Sequence, residues 1–341
     1  MLVDKFVWDL TYACPLRCVH CYSESGRRPA KALPAEALLR IADIIIAVGA
    51  QRVSLSGGEP LIVRGWSEAA RRLRDAGIQV TLFTSGWLMD EALAEEILRS
   101  VNCVVVSIDG ATEVTHDRIR QRVGSYRRAR TALELLSRFK RERTARGEAC
   151  FSLGSDFTVM RSNQTEAGRH VEDMTASYPG LDFLRFGMVV PEGPVADEDF
   201  AEMELLSEEE MHALIASGER LAALGRNGVK VSVTDMRYYI PYSPYGGPGA
   251  TIAHLEPDGQ LRAFGVYEAK VGNVLEEPFE VLWDRALAWR ANPFVAEQIK
   301  SIRDTRGWAR VARVLDRRYG SEADKARIAL REAERNGAAR P

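Results

Sequence analysis

The chain has 341 residues, 46% of them apolar and 28% charged, with a formal net charge of −2. That length can bury a large core, and the composition is that of an ordinary globular protein. The near-zero charge gives no global pull toward nucleic acid or an anionic membrane, and no apolar run reaches the length of a membrane span. Five cysteines, three of them within eight residues, read as metal binding rather than a disulfide framework. The start, Met1 to Lys5, leaves no room for a targeting peptide, so a cytoplasmic protein is expected.

Strand and helix patterns alternate through the first two hundred residues. Phe6–Tyr12 reads as the first strand. Pro34–Val48 places apolar residues at helical spacing, and Arg52–Ser56 is the second strand. Trp66–Ala76 is a helix closed by Gly77, followed by a strand over Gln79–Thr84. A helix over Asp90–Ser100 precedes a strand over Asn102–Ile108. Ser125–Arg143 is a long basic helix, Phe151–Met160 a strand, Gln164–Tyr178 a helix and Phe183–Val190 the sixth strand. Such repetition predicts an α/β fold with parallel strands, right-handed crossovers and ligands at the carboxyl ends of the strands.

The stretch Cys14-Pro-Leu-Arg-Cys18-Val-His-Cys21 carries the chemistry. Thiolates are the usual ligands of iron–sulfur clusters. Three are one short of the four that close a structural zinc site, and no second Cys/His pair stands at finger spacing, so zinc is the weaker reading. A secreted disulfide is weaker still.

CxxxCxxC directly after the first strand resembles the signature of the radical S-adenosylmethionine (SAM) enzymes, where the residue before the third cysteine is usually aromatic, as His20 is. The resemblance implies one [4Fe–4S] cluster on Cys14, Cys18 and Cys21, with SAM on the open iron. Reductive cleavage there would give a 5′-deoxyadenosyl radical that abstracts hydrogen from the substrate. Ser56-Gly57-Gly58-Glu59-Pro60, otherwise a plain βα turn, is similar to the family's GGEP segment and implies SAM contacts at Gly57, Gly58 and Glu59. Ser85, in Thr84-Ser85-Gly86, and Ser107, in Ser107-Ile-Asp109-Gly110, are implied contacts by the same likeness. Asp109 either faces substrate or caps the next turn. His116-Asp117-Arg-Ile-Arg120 is similar to the family's His-Asp-x-x-Arg, with Gln121 and Tyr126 departing from the pattern. Arg120 is read either as a cofactor-binding arginine or as a solvated helix-end residue. Ser155 and Asp156 point to opposite faces of the fifth strand, and no contact is assigned within Arg185 to Met188.

The resemblance further implies a partial (β/α)6 TIM-like barrel over residues 1–195. Residues 196–291 are then a small α+β SPASM/twitch-like domain, and 292–341 a helical tail. The acidic run Glu192 to Glu210 reads as a solvated linker with a Ser207-Glu-Glu-Glu210 capping box. Glu208–Leu224 is a helix and Lys230–Val233 a short strand. A tyrosine-rich loop, Tyr238 to Gly249, either lines a cleft or packs as an irregular connection. Pro257-Asp258-Gly259 is a hairpin turn. Where relatives carry cluster cysteines, Gly246 and Phe264 stand here, so a degenerate module without an auxiliary cluster is expected. The Arg-rich tail reads as a solvated helix. Cys103 reads as a small buried hydrophobe and Cys150 as a weak candidate hydrogen donor.

The residues Cys21-Tyr-Ser-Glu-Ser-Gly26-Arg27-Arg28 resemble those of peptide-modifying SPASM enzymes such as the mycofactocin maturase. They imply modification of a ribosomally made peptide by C–C or C–X bond formation, epimerisation or decarboxylation. An external one-electron donor of flavodoxin or ferredoxin type would serve the cluster. With the chain beginning at the first strand, a separate leader-peptide-binding protein is expected. A small natural product, such as a sugar or amino acid derivative, is the second substrate class. A non-catalytic iron–sulfur redox or scaffold module is the alternative of a different kind. Membrane and nucleic acid are not expected partners.

Overall fold

The computed structural model describes residues 3–240 and 251–335. Strands β1 (Lys5–Asp9), β2 (Arg52–Ser56), β3 (Gln79–Thr84), β4 (Cys103–Ser107), β5 (Ser152–Val159), β6 (Phe183–Met188) and β7 (Lys230–Thr234) form consecutive parallel pairs. After them come β8 (Ile252–Leu255), β9 (Gln260–Arg262) and β10 (Lys270–Asn273). β8 lies parallel to β1 on its free side, and β9 and β10 continue antiparallel. Among the described residues the sheet therefore runs β10-β9-β8-β1-β2-β3-β4-β5-β6-β7. The expected partial barrel is present, and its parallel run extends past six strands because β7 and β8 join its two ends.

The crossovers are α1 (Ala35–Val48), α2 (Trp66–Asp75), α3 (Glu91–Ser100), α4 (Glu113–Arg120), α5 (Ser125–Ala145) and α6 (Ala167–Ser177). In α1, Leu38, Ile41, Ala42 and Ile45 fall on one face and are buried, and the helix stops at Gly49 with φ +78°. Asp90 caps α3 by accepting from the Leu93 amide at 2.8 Å. α4 covers the His116-Asp117-Arg-Ile-Arg120 motif, where the sequence predicts no helix; Thr112 caps it. Beyond the sixth strand lie α7 (Glu198–Glu204), α8 (Glu208–Ala216) and α9 (Gly218–Leu224). Ser207 and Glu210 form the expected capping box. The single helix expected over Glu208–Leu224 is broken at Ser217. Helices α10 (Phe279–Ala291), α11 (Pro293–Lys300), α12 (Thr305–Tyr319) and α13 (Glu322–Arg335) complete the chain. None of the described helices is long and apolar enough to cross a membrane.

One face of the sheet is sealed by helices. Phe6, Trp8, Val53, Leu55, Val80, Leu82, Val104, Val106, Leu153, Phe157, Leu184 and Phe186 are its buried wall. The alternate residues, including Val7, Phe83, Ser107, Asp156, Thr158 and Arg185, face the barrel lumen and stay partly open.

Candidate active site

The cysteine loop leaves the carboxyl end of β1 and is held by backbone on both sides. Gly58 N–H donates to Thr11 O at 2.6 Å and Glu59 N–H to Ala13 O at 2.9 Å. Gly57 has φ +109°, and a Cβ there would stand 2.6 Å from Thr11 O, while one on Gly58 would drive into the Ala13 carbonyl. Only glycine permits so close an approach. The buried Glu59 carboxylate accepts from Thr84 Oγ1 at 2.8 Å, Ser85 N at 3.0 Å and Ser85 Oγ at 2.5 Å. The Ser85 hydroxyl is thus engaged with Glu59, and the glycine turn keys the cysteine loop to the end of β3. From the other side, Val19 N–H donates to Ile119 O at 2.9 Å and Arg17 N–H to Arg120 O at 3.3 Å, tying the loop to α4.

All three loop cysteines are free thiols, each with a donor beside it. Leu16 N–H lies 3.4 Å from Cys14 Sγ, Arg120 Nη1 3.6 Å from Cys18 Sγ and Ser23 Oγ 3.5 Å from Cys21 Sγ. Burial pushes the Cys14 thiol up and the Cys18 thiol to about 11, with Arg120 opposing it at Cys18. A coordinated thiol is deprotonated outright, and donors of this kind then stabilise its charge. Among the described residues no three His, Cys, Asp or Glu side chains converge on a single-ion position. A cubane asks each thiolate for a different iron, so the soft donor set suits a cluster. The Nε of Arg120, buried and without a hydrogen-bond partner, adds an unfilled donor at the same place.

Asp109, at the carboxyl end of β4, is the hub under the loop. Its carboxylate is buried and bonds His20, Arg120 and Thr158 rather than capping the turn that follows. Its Oδ2 accepts from His20 Nε2 at 2.7 Å and Arg120 Nη2 at 2.6 Å, and its Oδ1 from Thr158 N–H at 2.9 Å. Burial alone would raise this carboxyl; Arg120 and His20 outweigh it and hold it well below the usual range. Arg120 is accordingly buried on Asp109 and Cys18, which overturns the solvated alternative. Asn163 closes the hub, donating to Asp109 O at 3.0 Å and Thr158 O at 2.9 Å. Ser107 ends β4 on the lumen side, in register with Asp156, which is in register with Arg185.

The C-terminal third reaches back to the same loop. His254 of β8 lies 3.0 Å from Asp9, whose other oxygen accepts from Tyr22 Oη at 2.6 Å. Glu24, three residues past Cys21 and at φ +51°, is buried; its Oε1 accepts from Arg327 Nε at 2.8 Å and Arg331 Nη1 at 2.6 Å. Arg331 also binds Asp197 at 2.8 Å, and Arg262 is fully buried between Glu192 at 2.6 Å and Glu256 at 2.9 Å. The solvated readings of the acidic run and of the tail are therefore wrong for Glu192, Asp197, Arg327 and Arg331. Their partners lie far along the chain, and charges that are buried must be paired. Gly193 carries the same contact: a Cβ there would stand 2.8 Å from Tyr22 O.

Phe264 sits in an apolar cluster with Tyr267, Val295, Trp308 and Leu315. Gly246 and most of the tyrosine-rich loop lie outside the described residues, as do Asn336–Pro341. Pro257-Asp258-Gly259 forms the β8–β9 turn, with Gly259 at φ +86°. Cys103 is not a core residue; it opens β4 on the lumen face. Cys150 precedes β5, at the end of the strands away from the cysteine loop. A cavity of about 1010 Å³ also lies at that far end, lined by Arg138, Lys140, Asp182 and Lys230, and includes none of the residues above.

Residues 8–148 match the profile of the radical SAM superfamily. AdoMet-dependent heme synthase of Methanosarcina barkeri is 27% identical, over 83% of this chain and 82% of its own length. Mycofactocin maturase MftC of Mycobacterium ulcerans is 28% identical, over 83% of this chain and 75% of its own length. Streptococcus suis SuiB, crystallised with precursor peptide SuiA, shares the fold with TM-score 0.65 at 15% identity, covering 89% of this chain and 67% of that one.

Proposed function

The chain is a radical SAM enzyme, and from that premise we propose that it modifies a ribosomally made peptide at an unactivated C–H bond. A [4Fe–4S] cluster with SAM supplies the hydrogen-abstracting radical chemistry when bound. Cys14, Cys18 and Cys21 would hold the cluster, and Gly57, Gly58, Glu59, Ser85, Ser107, His20 and Arg120 would form the SAM side of the site. Glu59 and Ser85 act by fixing the glycine turn, and His20 and Arg120 by fixing the loop on Asp109. The lumen-facing residues below would orient the substrate and exclude water.

The observation that carries this reading is the loop of three free thiols, locked between a glycine turn and the Asp109–Arg120 pair at the carboxyl ends of parallel strands. The peptide class is supported by the likeness to the mycofactocin maturase and by the fold shared with SuiB. The bond changed is C–C or C–X formation, epimerisation or decarboxylation. The electron comes from a flavodoxin- or ferredoxin-type donor, a separate protein presents the leader peptide, and the enzyme works in the cytoplasm. One observation favours a second reading: the heme synthase aligns over 82% of its length, so a small-molecule substrate is the alternative.

Anaerobic reconstitution with iron and sulfide, followed by SAM and dithionite, tests the proposal. About four irons per chain are expected, as one cubane contains, together with slow release of 5′-deoxyadenosine. Both should be lost in Cys14→Ala. A loaded cluster that never cleaves SAM would instead mark a redox or scaffold module.

A further inference from the structure

The lumen holds a charged device that the radical chemistry leaves unused. Ser107, Asp156 and Arg185 occupy one row across β4, β5 and β6. Arg185 grips Asp156 as a fork, Nε to Oδ1 at 2.7 Å and Nη2 to Oδ2 at 2.9 Å. Neither side chain is sealed in: Arg185 is 40% and Asp156 30% exposed, while the alternate residues Leu184, Phe186 and Phe157 are at most 1%. The guanidinium carbon lies 5.7 Å from the Phe83 ring and 5.1 Å from the Phe183 ring. Gly154 makes room for this, because a Cβ there would penetrate the Phe183 ring. A guanidinium forked on one edge and flanked by two rings is fixed in orientation before any ligand arrives.

The surrounding charge is not balanced. The fork itself is neutral. Lys5, on the lumen face of β1, has no carboxylate at ion-pair distance among the described residues. Burial first, then the charges of Arg185 and Arg52, lower the pKa of Lys5, and Asp156 and Asp4 oppose them more weakly. Arg52 is itself paired with Asp4. The accessible floor of the lumen is therefore cationic, with aromatic rings beside the charge.

We propose that Arg185, aligned by Asp156, and Lys5 bind a carboxylate of the substrate, with Phe83 and Phe183 taking the apolar carbons next to it. This rests on the radical SAM reading and makes the substrate a carboxylic acid: a peptide end or acidic side chain, or a small acid. Arg185 and Lys5 are specificity residues here, and Asp156 a positioning residue.

The test uses the reconstituted, SAM-loaded enzyme and saturation-transfer NMR. N-acetyl-phenylalanine is compared with N-acetyl-phenylalaninamide, which differs only in the carboxylate. The acid should bind at least tenfold more tightly, and Arg185→Gln and Lys5→Met should each erase that preference at matched iron content. Arg185→Lys, which keeps the charge and loses the fork, should restore only part of it. The double variant Asp156→Asn/Arg185→Gln leaves no unpaired charge and guards against simple misfolding; it should also show no preference. A tetrapeptide acid binding more tightly than the capped amino acid would identify the peptide source, and equal binding the small acid; either supports the carboxylate subsite. Equal binding of acid and amide by the wild type, no saturable binding of the acid, or an undiminished preference in Arg185→Gln would overturn it. The radical reading fails separately, by absence of iron or of 5′-deoxyadenosine in the wild type.

Discussion

Glu24 is where the end of the chain grips the cysteine loop, and its removal gives a measurable consequence. In Glu24→Ala two charge-assisted hydrogen bonds disappear, those from Arg327 Nε and Arg331 Nη1 at 2.8 and 2.6 Å. Each such bond contributes roughly 1.5–3 kcal/mol. Both arginines keep other carboxylates, Arg327 on Asp324 at 2.6 Å and Glu268 at 2.8 Å, and Arg331 on Asp197 at 2.8 Å. Neither is left as an unpaired buried charge, and removing the carboxylate also removes its own desolvation cost. The net loss should therefore sit near the low end, about 2–3 kcal/mol. The backbone adds an internal control. Glu24 has φ +51°, a conformation costing a non-glycine residue about 1 kcal/mol. Glu24→Gly loses the same bonds and escapes that cost, so it should be more stable than Glu24→Ala by about 1 kcal/mol. Anaerobic urea unfolding, with iron per chain counted after reconstitution, reads both effects. If Glu24→Ala unfolds at the wild-type midpoint and keeps its iron, the tail does not brace the loop and the reasoning is wrong.

Gly58→Ala forces a Cβ into the Ala13 backbone carbonyl and should cost about 3 kcal/mol, with iron content falling more than the helical signal in circular dichroism. His170 is buried beside Phe157 and Phe186, and burial lowers its pKa to about 4. The native state thus refuses a proton that the unfolded chain accepts near pH 6.5, so stability should fall as pH drops from about 6.5 to 4, by on the order of 3 kcal/mol. A urea series across that range in wild type and His170→Asn should show a shallower slope in the variant. Asp316 behaves in the opposite sense: burial and then Glu268 raise its carboxyl to about 8, while its Oδ1 accepts from Glu268 N–H at 2.8 Å. The native state holds that proton longer than the unfolded chain, so this group costs stability as pH rises through about 4 to 8. Asp316→Asn should flatten that decline, and an unchanged slope would exclude Asp316 as its source.

Local chemistry made much of the architecture legible. β2 and β3 have the bounds expected from their apolar alternation, and the capping box at Ser207 and the turn at Gly259 are where short-range rules put them. The cysteine loop and its glycine turn were legible for the same reason: their spacing is local. What sequence could not give was pairing over distance. Glu192 and Asp197 read as solvated because Arg262 and Arg331 lie about 70 and 134 residues away. Arg327 and Arg331 stand in a helix of mixed charges, and nothing in that pattern says which face turns inward. Asp156 was narrowed to one of two faces by the strand's period of two, but its partner Arg185 required the β5–β6 register. α4 is not legible in the sequence because eight residues rich in Arg, His and Asp give little apolar periodicity.

The pairing of β8 with β1 also bears on how the protein is made. Lys5 lies opposite Ile252, so the neighbour of the first strand is about 250 residues away along the chain. At a synthesis rate of roughly 5–20 residues per second, that edge waits on the order of ten seconds to a minute for its partner. During that time the cysteine loop is joined to a strand whose outer N–H and C=O groups offer a template for other chains. Long-range closure of this kind is also slow in itself. Ribosome-held chains ending before residue 252 should therefore exchange the outward amides of Lys5–Asp9 freely; protection of those amides would mean that something else covers the edge first.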